Sequence, residues 1–407
     1  MKKRILFPAV FIGLVTALFI LGCNNVFVER IKVPASAPSY DPAVGLSWDS
    51  STTTLTIYNE TGLINFRKIV NGDVSSSAPI TVGDKTFSGQ DRSVNATLAN
   101  DIDLTSSEDW TPIGKSGSSS GYAGTFDGAG YTVFGVKISS GGSKGFFGQI
   151  ESQAIITGLT VAGNISVSSS TGGIVGTAVG GTIEYCVNKI NVTSSGKYVG
   201  GIVGTSRGTT TITGCVNLAD ITGDNYIGGI IGQASSTYTA IIDRCINMGS
   251  ITSSNSNYPR TGGIQGFSDN TANKITNSLN LGSIKNHFSG RGAGIVYNGA
   301  SNTIQYCLSA GPIGAWTRYA IASNPSGNYT RNYYDSEKIY NPSELVGASI
   351  PGTGGTGKAT SALKVASAWD SSWSTTNWSF ASGRYPLPNI QDNIPPEIWT
   401  EIENLAK

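Results

Sequence analysis

Four of the five cysteines occupy the same place in a recurring motif, Ile-x-x-Cys-x-Asn or a close variant: Cys186, Cys215, Cys245 and Cys307. Such a series could bind a metal, form a disulfide or pack as small buried hydrophobes. We expect buried free thiols, because parallel stacking of the repeats points the side chains in one direction and suits a disulfide poorly. Ser278 takes the cysteine position in one copy and interrupts the series. One disulfide and a metal site are the alternatives.

Asparagine follows the cysteine position by two residues in four copies of the motif. Its amide can hydrogen-bond to the repeats above and below and can satisfy backbone groups at a turn. We therefore predict a structural asparagine ladder, with contact to a sugar or an ion as the alternative. The residues concerned are Asn188, Asn217, Asn247 and Asn280.

Tyrosines also occupy equivalent positions of the repeat. Tyr198 is equivalent to Tyr226, and Tyr185 is equivalent to Tyr306. Outward tyrosines on stacked repeats could offer a stacking surface to a glycan or a partner protein. The four are our candidates for a binding surface, and packing against neighbouring turns is the alternative.

The remaining candidates for chemistry are isolated. Residues 352–357 read Gly-Thr-Gly-Gly-Thr-Gly before Lys358, but Ala359 stands where a phosphate-binding loop needs Ser or Thr. His287 is the single histidine, so serine–histidine catalysis would have to use it, and it has no evident partner. We predict no catalytic residue, cofactor, nucleotide or metal.

These candidates need a repeating scaffold, and the sequence contains one. Gly-Gly-Ile-Val-Gly at residues 172–176 recurs with few changes from Gly200, Gly228, Gly262 and Ala293, at intervals of 28, 28, 34 and 31 residues. Each repeat has three short β-branched segments between Gly, Ser, Asn and Thr turns. Stacking at ~4.8 Å would join their small apolar sets into one interior.

We therefore predict an all-β fold, a right-handed three-sided parallel β-helix, with a globular sandwich as the alternative. An open coil would expose a strand edge. Residues 61–71 carry apolar side chains at near-helical spacing, which predicts a short capping helix at the N-terminal end.

The glycine-rich repeats resemble the GLUG motif of bacterial surface proteins. The resemblance covers roughly residues 58–390 and implies a cell-surface β-helix, with less to say about activity. Further segments resemble the same family at its entry, first coil and C-terminal end: residues 98–104, 110–114, 124–128, 135–138, 332–335 and 383–386.

The first residues have the pattern of an export signal. Three cations at positions 2–4 precede an apolar run at 5–20, and Leu21-Gly22-Cys23 follows. This pattern resembles the lipobox of bacterial lipoproteins, which implies cleavage after Gly22 and lipid on Cys23. A transmembrane anchor is the alternative, although the run is short for a span of ~20 residues. Asn24 after the cysteine allows an outer-membrane or surface location.

The chain thus divides into a signal peptide (1–22), a lipidated cysteine with a flexible tether (23–56), the β-helix (57–390) and a C-terminal tail with an amphipathic helical pattern (391–407). Lys and Arg total 27 against 26 Asp and Glu, so the excess of cations that nucleic-acid binding needs is missing.

We predict a membrane-attached surface protein that binds a glycan or a surface protein without catalysis. A structural surface component is one alternative. The other is a polysaccharide-cleaving enzyme that uses a carboxylate pair such as Asp101 and Asp103.

Overall fold

The computed structural model describes a folded unit within residues 40–407. The predicted signal peptide, Cys23 and the tether up to residue 39 lie outside the described residues, as do His287 and Gly352. The described segments are 40–106, 108–117, 120–140, 144–254, 257–286, 290–298, 302–339, 354–369 and 371–407.

Three sheets run along the stacked coils, and apart from one N-terminal hairpin their strands pair in parallel. Sheet 1 comprises Leu46–Asp49, Thr54–Ile57, Asn95–Leu98, Thr125–Asp127, Phe147–Ile150, Ile155–Thr157, Val175–Glu184, Val203–Thr213, Ile231–Ala234, Ala240–Asp243, Gln265–Ser268, Lys274–Thr276, Val296–Asn298, Thr303–Gln305 and Asn328–Thr330. Sheet 2 comprises Ile102–Asp103, Thr132–Ile138, Thr160–Val167, Val187–Ser194, Val216–Asn217, Ile221–Gly223, Ile246–Asn247, Ile251–Ser253, Leu279–Asn280, Ile284–Lys285, Leu308–Ser309, Ile313–Gly314, Tyr333–Asp335 and Thr356–Lys358. Sheet 3 comprises Thr171–Gly172, Tyr198–Gly200, Tyr226–Gly228, Arg260–Gly262, Arg291–Ala293 and Thr317–Tyr319.

The short elements complete the described chain. The helices are Glu60–Asn71, Ser336–Ile339, Thr360–Leu363 and Pro396–Leu405, and the 3₁₀ turns are Ala366–Ala368 and Gln391–Asn393. Ile80–Val82 pairs with Lys85–Phe87, and Trp378–Ser379 pairs with Leu387–Pro388. Among the described residues, no helix is both long and apolar enough to cross a bilayer.

Equivalent residues of the repeats lie above one another, which confirms the predicted three-sided parallel solenoid. In sheet 1, Ile183 pairs with Ile212 of the next coil. In sheet 2, Ile221 pairs with Ile251. These side chains are fully buried, so each column is a continuous apolar row along the interior. A row shared by many coils provides the core that one repeat cannot build alone.

Each coil turns from sheet 3 into sheet 1 at the glycine-rich motif. Tyr226–Gly228 of sheet 3 is followed by Ile231–Ala234 of sheet 1 after two residues. A Cβ added at Gly228 would lie 2.1 Å from the backbone oxygen of Ile231, and one added at Gly232 would lie 2.5 Å from the backbone nitrogen of Val199. The two strands therefore approach through their backbones at these glycines, whereas the last copy of the motif has Ala293 and Tyr297 at the corresponding positions.

The predicted capping helix is confirmed at the N-terminal end. Helix Glu60–Asn71 begins at Asn59, whose side chain accepts a hydrogen bond from the Gly62 amide at 3.0 Å. Its apolar face is buried, and the Phe66 ring lies 5.6 Å from the ring of Phe126 in sheet 1. The helix thus joins the same interior as the coils.

The N-terminal boundary of the fold corrects the sequence analysis. The tether was predicted to run to residue 56, but Leu46–Asp49 and Thr54–Ile57 form an antiparallel hairpin that pairs with Asn95–Leu98. Leu46 and Leu55 are fully buried. The Ser/Thr-rich composition obscures these few apolar residues, and a hairpin against an existing sheet needs no more of them.

The C-terminal segment, residues 360–407, folds back over the outer face of sheet 2. The predicted helical tail is present as Pro396–Leu405, with Ile398 and Ile402 buried, but Leu405 is 55% exposed rather than on the packed face. Its core is continuous with residues before 390, so the tail is not a separate unit. The covered column of sheet 2 contains Val187, Val216, Ile246, Leu279 and Leu308, and the covering side chains include Leu363, Trp373, Trp378, Tyr385, Leu387, Ile390, Ile394, Ile398 and Ile402.

Candidate functional site

The asparagines form a ladder between coils. The Asn188 side-chain amide donates to Oδ1 of Asn217 at 2.8 Å, and the pattern repeats to Asn247 and then Asn280 at the same distance. Each amide also donates to a backbone carbonyl two residues further on, as Asn217 does to Ala219 at 2.9 Å. All four are fully buried, so the residues act within the fold.

The ladder explains the second glycine of the repeat. A Cβ at Gly229 would lie 2.2 Å from Cγ of Asn247, and a Cβ at Gly201 would lie 2.5 Å from Cγ of Asn217. The glycine-rich motif and the asparagine motif therefore depend on each other, because the asparagine amide occupies the space that a side chain at the glycine would need. Gly294 faces the smaller Ser309 in the copy that lacks the asparagine.

The four repeat cysteines lie in the interior as free thiols. Each donates from Sγ to backbone carbonyls, as Cys215 does to Ile183 at 3.5 Å. Burial raises the pKa of Cys215, and burial raises the pKa of Cys307 to about 12. A thiol held in its neutral form is a poor nucleophile and a poor metal ligand. Among the described residues, no three His, Cys, Asp or Glu side chains are grouped as a metal site.

The four candidate tyrosines do not form one surface, which corrects the predicted grouping. Tyr185 and Tyr306 pack under the C-terminal segment, where the Tyr306 ring lies 6.3 Å from the ring of Trp373. Tyr198 and Tyr226 begin adjacent strands of sheet 3, and their rings stack at 5.4 Å. The sequence repeat placed both pairs outward, but it did not indicate which outward face the chain itself covers.

Tyr198 and Tyr226 belong to a longer row of rings from five successive coils. The centroids of neighbouring rings lie 5.4, 4.7, 6.4 and 6.1 Å apart along the series. The rings are mostly half-buried, and Phe267 is 7% exposed. Their packing therefore restricts the orientation of each ring. We call this series the aromatic row: Tyr198, Tyr226, Phe267, Tyr297 and Tyr319.

Arg260 lies within the aromatic row. In sheet 3 it pairs with Tyr226 of the previous coil. Its guanidinium carbon lies 5.4 Å from the ring centre of Tyr226, 5.0 Å from that of Phe267 and 5.7 Å from that of Tyr297. Its Nη1 donates to the Tyr226 hydroxyl at 3.1 Å. These cation–π contacts and the hydrogen bond fix the guanidinium between three rings.

Arg291 repeats this arrangement one coil further on. It pairs with Arg260 in sheet 3, and its Nη1 donates to the Tyr297 hydroxyl at 3.1 Å. The hydrogen bond to Tyr297 raises the pKa of Arg291. Its guanidinium also lies 5.6 Å from the ring of Tyr258, which is 63% exposed. Two cations thus stand on neighbouring coils at the same position.

Sequence reasoning missed most of this site. Phe267 and Tyr297 each lie in the sheet 1 strand that follows the glycine-rich turn, and Arg260 and Arg291 replace tyrosine at the start of sheet 3 strands. The sequence does contain a signal for them. The residue three positions before the second glycine of the repeat motif is Tyr, Tyr, Arg and Arg in four successive copies. The arginines do not stand out in the sequence, because they differ in residue type from the tyrosines at the equivalent positions.

A second aromatic group lies on the C-terminal segment. Trp369 and Trp373 have ring centres 4.5 Å apart, and Trp369 lies 5.8 Å from Phe380. An open pocket of about 430 Å³ is lined by these rings with hydroxyl and small side chains from residues 366–375. The group fastens the segment to sheet 2, where the Tyr333 ring lies 5.4 Å from that of Trp373.

The two C-terminal landmarks of the sequence meet in the structure. The Tyr385 hydroxyl donates to the fully buried Asp335 carboxylate, which also accepts from Thr360 Oγ1 at 2.7 Å and from the Glu337 amide at 2.9 Å. Burial and the Asp335 carboxylate hold the pKa of Tyr385 far above its usual value. The contact ties the C-terminal segment to the last strands of sheet 2.

The carboxylates considered for catalysis serve the fold. Asp101 accepts from the Thr132 amide of the next coil at 2.7 Å. Asp103 accepts from the Thr105 hydroxyl and amide, and these hydrogen bonds lower its pKa. A general acid in glycoside hydrolysis needs the opposite shift.

No family model and no curated protein sequence matches the chain. Its fold is similar to that of a crystal structure from Bacteroides ovatus whose provisional name is immunoglobulin A1 protease, with a TM-score of 0.55 and 21% sequence identity. The likeness covers 82% of this chain and 91% of that one. At this identity it shows the β-helix fold alone, and the resemblance to the GLUG family stays a prediction.

Proposed function

We propose that this chain is a lipid-anchored β-helix protein of the bacterial cell surface that binds a glycan or a surface protein without catalysis. The aromatic row is the observation that supports it. Five rings from successive coils form one series on a side of the solenoid away from the C-terminal segment. Sugar rings and flat side chains of a partner stack on such surfaces.

The row suits binding because it is already ordered. The rings pack against one another and against Arg260, so little side-chain freedom is lost when a ligand arrives. The coil spacing of ~4.8 Å repeats the same type of contact along an extended ligand. Several weak contacts in one line then add up to useful affinity.

Membrane attachment is the second part of the proposal, and it rests on the lipobox-like pattern of residues 1–23, which ends in Cys23. We expect wild-type cells to incorporate labelled palmitate into this protein and a Cys23→Ala variant to incorporate none. Palmitate on the Cys23→Ala protein, or an unlabelled wild type, would contradict lipid anchoring.

Binding is tested on a glycan array with the full-length protein in detergent. The matched pair of variants is Tyr198→Ala with Tyr226→Ala, and Tyr238→Ala as the control, since Tyr238 is 45% exposed and lies outside the row. We expect the double variant to bind roughly tenfold more weakly, as two lost stacking contacts would cause, and the control to bind like wild type. Equal binding by all three would exclude the row as the site.

Enzyme activity is the second candidate, because the structural neighbour from Bacteroides ovatus carries a protease name. Human immunoglobulin A1 and a set of polysaccharides serve as substrates for the same preparation. We expect no new peptide fragments and no release of reducing sugar. Cleavage of either kind would replace the binding proposal with catalysis, and a blank result for both binding and cleavage would favour a structural surface component.

A further inference from the structure

The ligand class of the aromatic row follows from its two cations, an inference that rests on the proposed function. We propose that the row binds an acidic polysaccharide, one whose sugars carry carboxylate or sulfate groups. The groups that would meet the acid are the guanidinium groups of Arg260 and Arg291, which lie at paired positions of adjacent coils.

The arrangement of charge carries the first step. Residues paired in parallel strands are separated by only ~4.8 Å between strands, so two cations at paired positions repel each other. Among the described residues, no carboxylate forms an ion pair with either arginine. An anionic ligand that contacts both guanidinium groups from the solvent side would offset this repulsion and would gain charge-assisted hydrogen bonds.

The hydrogen bonds and the burial of the two arginines also favour an anionic ligand. Each uses one Nη1 to donate to a tyrosine hydroxyl, Tyr226 for Arg260 and Tyr297 for Arg291. A guanidinium has five N–H donors, so donors remain for a ligand, and the tyrosine contact holds the fork in place. Both side chains are half-buried, which strengthens an ionic contact relative to one in bulk water.

The rings select a sugar polymer among the possible polyanions. Tyr198 and Tyr226 lie at one end of the row, on the coils before Arg260, and Tyr319 lies at the other end, one coil beyond Arg291. A ligand that contacts both must extend across several coils and offer flat faces as well as acid groups. The coil spacing of ~4.8 Å is close to the length of one sugar unit, so neighbouring units can meet neighbouring coils.

The experiment measures binding of the full-length protein in detergent to polygalacturonate, chondroitin sulfate and neutral pullulan at low and high NaCl. Polyglutamate and single-stranded DNA are the controls, because they are polyanions but not polysaccharides. We expect the acidic glycans to bind roughly tenfold or more tightly than pullulan, and the difference to fall with salt because screening weakens exposed ionic contacts. Polygalacturonate and chondroitin sulfate separate carboxylate from sulfate as the preferred acid.

The variants are Arg260→Gln with Arg291→Gln, the same pair changed to Lys, and Arg207→Gln as a control. Arg207 is an exposed arginine of sheet 1 outside the row. We expect the Gln pair to lose the preference for acidic glycans, the Lys pair to keep part of it, and the control to keep all of it. Retention of the fold in each variant is checked by circular dichroism and thermal unfolding.

The outcomes separate this inference from the proposed function. Neutral glycans bound through the tyrosines, with no effect of the Gln pair, would overturn the acidic ligand and leave the binding function standing. Equal binding of polyglutamate or DNA would overturn the assignment to a polysaccharide. A protein that binds none of the glycans through the row would overturn both.

Discussion

Two outer columns of the same solenoid differ in chemistry and in what covers them. The outer column of sheet 2 is aliphatic from Val187 to Leu308, and the C-terminal segment covers it with tryptophans, leucine and isoleucines. The aromatic row has four tyrosine hydroxyls and two arginines beside it, and its tyrosine rings remain half-exposed. The repeat therefore supplies position, while the residue type at each position decides whether a column becomes core or surface.

We expect the largest loss of stability from a substitution in the segment that covers the outer column of sheet 2. Trp378 is 1% exposed and packs on Trp373 with ring centres 4.6 Å apart. We expect Trp378→Ala to lower the free energy of unfolding by ~3–5 kcal/mol through cavity formation. Trp316 is 43% exposed and provides the control, for which we expect a change of ~0.5 kcal/mol or less. Similar losses for the two variants in urea unfolding would remove the distinction between covered and exposed faces.

We expect the next largest loss of stability from a substitution that crowds the asparagine ladder in the interior of the coils. Gly229→Ala would bring a Cβ within 2.2 Å of Cγ of Asn247 and 2.3 Å of the Gly263 oxygen. We expect a loss of ~1–3 kcal/mol in the free energy of unfolding from overpacking. Gly89→Ala is the control, because an added Cβ there has no neighbour within 4 Å. A stable Gly229→Ala variant would show that the ladder is not tightly packed.

The contact between the C-terminal segment and sheet 2 should also make the stability of the fold decrease at high pH. Burial and Asp335 raise the pKa of Tyr385, so the folded state favours the neutral phenol. The resulting stability is complete below the unfolded pKa of ~10 and is lost as the pH rises above it. We expect the free energy of unfolding to fall between pH 9 and 11 in wild type, and to fall less in Tyr385→Phe. Parallel pH profiles would show that Tyr385 does not titrate with folding.

The smallest effect on stability is expected in the aromatic row. Tyr226→Ala removes ring contacts with Tyr198 and Phe267 and a hydrogen bond from Arg260. We expect a loss of ~1 kcal/mol in the free energy of unfolding, as for one aromatic contact at a half-exposed site. A loss as large as that of Trp378→Ala would make the row part of the core and weaken its role in binding.

Features that repeat along the chain can be predicted from the sequence, whereas the docking of the C-terminal segment over sheet 2 cannot. The ladder of Asn188, Asn217, Asn247 and Asn280 and the isoleucine columns follow from identical residues at fixed intervals. The covering of Tyr185 and Tyr306 comes from a segment with no repeat, whose docking depends on contacts remote in sequence. Arg260 and Arg291 were missed for a related reason, since their positions repeat but their residue types do not.

The order of the elements along the chain has a consequence for synthesis. The segment that covers sheet 2 follows every coil in the sequence, so the aliphatic column from Val187 to Leu308 leaves the ribosome before its cover exists. If the coils form before the C-terminal segment docks, they expose this apolar strip, and we expect a holding chaperone to bind them at that stage. The strip is buried when the C-terminal segment, which includes helix Pro396–Leu405, docks on sheet 2.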